Sequence, residues 1–218
     1  MCGRFAFYSP SEATAELFGV SGALPVEARY NIAPTQYVAA IRTGEGGARE
    51  LAMLRWGLVP FWARDPASGN RMINARAETV AEKPAFRAAY RHRRCLVLAD
   101  GFYEWHREGS VKTPYYISAA DGRPFAFAAL WENWNSKESD ESIQSTTLIT
   151  TEANEFMTSL HHRMPVVLSP ATAGTWLAGG EDALAYALEH IPELRAWPVD
   201  RRVNNARNEG EDLIEAAS

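Results

Sequence analysis

Short runs of β-branched and aromatic residues, bounded by glycine, proline and polar turns, recur along this chain without settling into regular alternation with helical patterns. No other feature restricts its fold as much. Strands are expected at 3–7, 37–43, 50–56, 95–99, 102–105, 115–118, 125–130, 146–150 and 165–168, the second and third joined by a glycine-rich turn at 44–47. Helical patterns are fewer. Ser9-Pro10-Ser11-Glu12 reads as an N-cap, a proline at the first helical position and a glutamate three residues on, opening a helix that runs to Phe18 and stops at Gly19. Further helices are expected at 83–92, at 151–160, from Ser169-Pro170 to Gly179-Gly180, and at 182–189, with a polar, acidic loop at 136–144. This pattern predicts an α+β fold on a mixed, mainly antiparallel sheet with peripheral helices, and it excludes a doubly wound parallel sheet. Neither a phosphate loop nor a dinucleotide glycine fingerprint is present.

A length of 218 residues suits one domain over 1–218. The formal charge of −5 argues against a protein that coats nucleic acid by bulk charge. The charge is uneven, however. Residues 1–110 carry 14 basic and 11 acidic side chains and residues 111–218 carry 8 and 16, so an anion is expected to meet the first half. Two cysteines, Cys2 and Cys95, offer no disulfide framework, no apolar run reaches membrane-spanning length, and the first residues lack an apolar signal core. We expect a cytoplasmic, reducing setting without membrane attachment, in which a thiol at position 2 stays reduced. We also expect a monomer with no metal and no cofactor.

Cys2 carries the most unusual chemistry. Removal of Met1 would leave a free α-amine beside the thiol. Such a 1,2-aminothiol condenses with an aldehyde through its amine, and the thiol then closes a five-membered thiazolidine on the same carbon. An α-amine with a pKa of ~7.7–8 is neutral near pH 7 in a far larger fraction than a lysine at ~10.4, so it is the better amine nucleophile without burial. The plainer reading is a small residue that happens to follow Met. Asn74 and Arg76 form a second cluster: a buried amide must be paired and could orient a neighbouring amine or thiol, and an arginine fork suits phosphate, though a turn asparagine and a solvated arginine fit as well. Glu104 lies between Tyr103 and Trp105. Desolvation there would raise its pKa into the range of a general acid, but strand alternation leaves open which face it takes. His161 and His162 show no zinc spacing; one could serve as acid, base or donor, or both could sit at a helix end. Arg4, Arg55-Trp56, Phe61-Trp62, Arg64 and Arg76 interleave aromatics with cations, which suits a single strand, although Trp56 also fits a core.

Six motifs in order carry a resemblance: Cys2-Gly3-Arg4-Phe5, Arg29-Tyr30-Asn31-Ile32-Ala33-Pro34, Arg55-Trp56-Gly57-Leu58-Val59-Pro60, Asn74-Ala75-Arg76-Ala77-Glu78-Thr79, Gly101-Phe102-Tyr103-Glu104-Trp105 and His161-His162-Arg163-Met164-Pro165. Over essentially its whole length the chain resembles the SRAP family, the SOS response-associated peptidase domain. The resemblance implies a pseudo-barrel, PUA-like α+β fold and a sensor that crosslinks covalently to abasic sites in single-stranded DNA, shielding them from strand cleavage. It implies Cys2 as nucleophile, Asn74 as its orienting residue, Glu104 as proton carrier and His161 as assistant in crosslinking and reversal. It places Arg4, Trp56, Trp62, Arg76, Arg163, Met164 and Pro165 at the DNA. The residue after the motif histidine is often Asp or Thr in this family, and here it is His162. An imine left untrapped would give a lyase side reaction. The rival readings are an N-terminal cysteine peptidase or amidohydrolase, for which self-removal of Met1 would fit, and a noncovalent PUA-like reader of nucleic acid.

Overall fold

The computed structural model describes residues 2–23, 25–44 and 46–217. In chain order the strands are β1 (Phe5–Phe7), β2 (Arg29–Ile32), β3 (Tyr37–Thr43), β4 (Arg49–Trp56), β5 (Asn74–Arg76), β6 (Arg94–Ala99), β7 (Gly101–Glu108), β8 (Val111–Ala119), β9 (Phe125–Asn135), β10 (Ser142–Glu152), β11 (Arg163–Pro165), β12 (Val167–Leu168) and β13 (Leu194–Pro198). The helices are α1 (Ser11–Leu17), α2 (Arg87–His92), α3 (Glu155–Thr158), α4 (Pro170–Ala178) and α5 (Ala183–Glu189).

Two sheets divide the strands. β3, β4, β10, β9 and β6 close on themselves into a five-stranded barrel, because β10 pairs with β4 on one edge and with β9 on the other. Closure removes the open edges that a five-stranded sheet would otherwise expose. The β4–β10 pairing is parallel and the other barrel pairings are antiparallel. The second sheet, in the order β13-β8-β7-β1-β2, is antiparallel throughout. The α+β, mainly antiparallel fold expected from the strand pattern, and the barrel that the resemblance implies, are therefore the fold observed.

Alternation along the second sheet builds two cores at once. Phe5 and Phe7 of β1, Phe102 of β7 and Ile117 of β8 turn into the main core with Ile41, Leu54, Val97 and Phe127 of the barrel. Ala6, Tyr103 and Tyr116 turn the other way and meet Val199, Val203 and Leu213 of the carboxy-terminal segment. Gly101 is forced by this packing: a Cβ there would run into the Tyr116 ring and the Ile117 carbonyl oxygen.

The length of β10 is what positions the candidate site. β4 takes its Ser145 and Thr146; further along the same edge, β5 takes Leu148 to Thr150 in parallel. On the opposite edge β9 runs out at Leu148, and β11 takes Thr150 to Glu152. The distal end of one strand thus holds Asn74 from one side and the strand entered through His161 and His162 from the other.

Several local expectations give way to tertiary partners. α1 begins one residue later than its cap signature indicates, with Pro10 at the N-cap. The Ser9 hydroxyl and amide instead donate to the Asp100 carboxylate at 2.5 and 2.8 Å. The helix expected at 151–160 shrinks to α3, capped by Asn154, because β10 continues to Glu152. The helix at 83–92 is helical only over α2, and the acidic loop is confined to 136–141 between long strands. Glu45, in the expected turn, lies outside the described residues. Among the described residues no helix is long and apolar enough to cross a membrane.

Candidate active site

Cys2 precedes β1 and is wholly buried. Its carbonyl accepts a hydrogen bond from Asn74 Nδ2 at 2.8 Å, which ties the start of the chain to β5. The other end of that amide, Asn74 Oδ1, is buried and finds no partner among the described residues. A buried acceptor in this state costs about 1–3 kcal/mol, and a donor arriving at the site would recover part of it.

Glu104 settles the question its alternation left open. It shares a strand face with Phe102, turns inward, and is only 3% exposed. Burial pushes its carboxyl above the usual carboxylate range, while His162 and the Trp105 amide pull the other way. The Cys2 thiol is also pushed up, first by burial and then by the charge of Glu104, so at neutral pH it is a thiol and not a thiolate.

His161 and His162 stack with ring centroids 4.3 Å apart. His161 Nδ1 lies 3.0 Å from both the Arg163 amide nitrogen and the Arg163 carbonyl oxygen, so one tautomer accepts from the amide and the other donates to the carbonyl. Burial lowers the pKa of this half-buried imidazole, and the Arg163 carbonyl opposes that shift. His162 is exposed and its pKa is lowered first by its neighbour His161. Glu104 and His162 each act on the other's charge, which places His162 near the carboxyl.

The residues expected at the DNA separate into two groups. Trp62 is 51% exposed and Arg76 is exposed. Arg4 is half-buried: its Nη1 donates to Asn31 Oδ1 and to the Val203 carbonyl, both at 2.7 Å, and its Cζ lies 5.9 Å from the Trp105 ring centroid. Trp56, Arg163, Met164 and Pro165 are instead buried. Trp56 fills the core and donates from Nε1 to the Ile73 carbonyl. Arg163 pairs bidentately with Glu78 at 2.9 and 3.0 Å and donates to the Thr150 carbonyl at 2.7 Å, so its fork clamps β11, β10 and the segment after β5 together. Although burial opposes ionisation of Glu78, the Arg163 hydrogen bond and charge hold its carboxyl below the usual range.

Asn31 and Glu78 were not singled out from the sequence. A polar residue inside an apolar run, the signal that drew attention to Asn74, was equally available in Tyr30-Asn31-Ile32. Among the described residues no three His, Cys, Asp or Glu side chains gather as a metal site.

A family model described as SOS response associated peptidase (SRAP) matches residues 1–206. The chain belongs to the SRAP family. Its SRAP relatives include the abasic site processing protein YoaM of Bacillus subtilis, 38% identical over 225 residues, covering 99% of this chain and 98% of the relative. Another is the abasic site processing protein YedK of Escherichia coli, 32% identical over 227 residues and 99% of both chains. A crystal structure of a Bacteroides thetaiotaomicron protein superposes over 100% of both chains with a TM-score of 0.87 at 25% identity. The six SRAP motifs named above supply Cys2, Asn74, Glu104 and both histidines of this site.

Proposed function

We propose that this protein acts on abasic sites in single-stranded DNA by forming a thiazolidine through Cys2. The observation that carries the proposal is the convergence of Asn74 and Glu104 on Cys2, and the names of the relatives give its substrate class. Met1, whose removal the chemistry requires, lies outside the described residues. Once the Cys2 nitrogen is a free amine, it attacks the aldehyde carbon of the ring-opened sugar. Glu104, whose carboxyl burial pushes above the usual range, in its protonated form donates to the departing oxygen, which leaves as water as the imine forms. The thiol sulfur then bonds to the imine carbon, the carbon–nitrogen double bond becomes single, and the thiol proton passes to nitrogen. Closing the ring in this way removes the imine that would otherwise promote β-elimination and strand breakage. His161, its pKa lowered by burial, assists proton transfer when the ring forms and reopens. Arg4 and Arg76 hold phosphates and Trp62 offers a stacking face. Trp56, Arg163, Met164 and Pro165 support the site from inside.

The cysteine peptidase reading fits less well. Such an enzyme attacks as a thiolate, and this thiol is pushed up where a peptidase would depress it. A noncovalent reader has no use for a buried carboxyl against a buried thiol.

The test is a denaturing gel with two single strands, one carrying an abasic site and one whose abasic aldehyde has been reduced to an alcohol. Only the first should yield a heat-stable protein–DNA band. Bands with both strands, or with neither, would overturn the reading.

A further inference from the structure

We propose that Asn31 and the carboxy-terminal segment 199–217 form a socket that fixes Arg4 by Nη1 and leaves its Nη2 group to meet a phosphate of the bound strand. The proposal rests on the single-strand reading above and names a positioning residue for it. Asn31 is wholly buried on β2. Its Oδ1 takes Arg4 Nη1 at 2.7 Å, and its Nδ2 donates to the carbonyls of Asn205 and Asn208 at 3.0 and 2.8 Å, with that of Val203 at 3.4 Å. The Val203 carbonyl takes the second Nη1 bond. Both Nη1 hydrogens are thereby used.

What remains of the guanidinium for a ligand is Nη2, whose hydrogens can donate to phosphate oxygens. Arg4 Nε is buried and has no partner among the described residues, so the strand is met through Nη2 alone. Trp105 walls the same group, and its Nε1 is pinned to Asn204 Oδ1 at 2.7 Å, again on the carboxy-terminal segment. That segment is anchored by Val203 and Leu213 in the smaller core and by the Arg202–Asp212 and Arg29–Glu209 ion pairs. One buried amide therefore couples the carboxy-terminal segment to the arginine that follows Cys2 by two residues.

The experiment measures binding of the full chain to a single strand carrying a tetrahydrofuran spacer, which has no aldehyde and cannot crosslink, across a salt series. Arg4→Ala should lower the slope of log K against log salt by ~0.7, the value of one phosphate contact on a single strand. Asn31→Ala should lower it equally, and the double variant should lower it no further. Val97→Ala, in the barrel, should lower the melting temperature and leave the slope alone. An unchanged slope in Asn31→Ala beside a reduced one in Arg4→Ala overturns the socket and leaves the single-strand reading standing; so does a double variant that loses more than Arg4→Ala. An unchanged slope in Arg4→Ala removes Arg4 from the DNA and the proposal with it, while crosslinking by Cys2 is judged separately. If Asn31→Ala does not fold, side-chain NMR of the wild-type protein decides. The Arg4 Nη1 hydrogens should resolve as rigid signals and the Nη2 hydrogens should shift on adding the strand; averaged, unshifted signals like those of exposed Arg91 would overturn the proposal.

Discussion

Cys2 and Cys95 are alike by burial and differ in what surrounds them. Neither is exposed, and burial raises both thiols, that of Cys95 to about 12. Cys95 lies near the start of β6 in the closed barrel, between Arg42 of β3 and Ala129 of β9, with Thr146 Oγ1 at 3.6 Å and its carbonyl taking Trp176 Nε1. Every polar group near it serves the ladder or the packing. Cys2 lies before β1, with Glu104 acting on its thiol and Asn74 on its carbonyl. Depth alone therefore does not distinguish a reactive thiol from a structural one. The difference lies in the acid and the amide that converge on Cys2, and in a backbone nitrogen that trimming can turn into an amine.

Substituting the two cysteines gives the widest contrast. Cys2→Ser should lose the heat-stable adduct entirely yet still be trapped on abasic DNA by borohydride, because the amine remains. Cys95→Ala should crosslink as wild type. A wild-type level of borohydride-independent adduct in Cys2→Ser would erase the distinction.

Glu104→Gln keeps the shape and removes the exchangeable proton, so adduct formation should slow by roughly 10²–10⁴. In the wild type the rate should fall as pH rises through the raised pKa of this carboxyl. The same shift bears on stability. A carboxyl whose native pKa lies above its unfolded value of ~4.3 costs stability progressively as pH rises above that value, until the native pKa is passed. Glu104→Gln should therefore melt higher than wild type at neutral pH and gain nothing below pH ~4. A variant that crosslinks at the wild-type rate would leave Cys2 without its acid.

The support behind the site should respond more weakly. Glu78→Gln leaves the buried Arg163 without its anion. Because Glu78 is 42% exposed the cost is discounted to about 1 kcal/mol. Glu78 has a native pKa below its unfolded one, so its contribution is present above pH ~4.3 and disappears as pH falls through the native value. Thermal melts of wild type and variant should converge in acid; a constant difference between them would deny the ion pair its role.

How legible this was from sequence depends on whether the decisive partners are local. The barrel hairpin follows from alternation and turn residues, whereas β8, β9 and β10 extend well beyond the segments expected at 115–118, 125–130 and 146–150. Cys2, Asn74 and Glu104 were visible as chemistry in search of partners. Strand alternation limited Glu104 to two faces, but only the packing of Phe102 into the main core showed which. β2 and β13 give no clear local signal because they are short and held by long-range pairing. The partner of Arg163, Glu78, lies 85 positions away and meets it only across β10. Ser9 had a cap signature, but Asp100, 91 positions away, claims its hydroxyl. Spacing along the chain reveals none of these long-range choices.

The central claim is a covalent bond between the Cys2 aminothiol and an abasic aldehyde, and intact mass measures it directly. Wild-type protein incubated with an abasic single strand, then denatured without reductant, should appear as the chain lacking Met1 plus the strand minus one water. The account is contradicted by fully crosslinked protein that retains Met1, or by protein lacking Met1 that gains no strand mass.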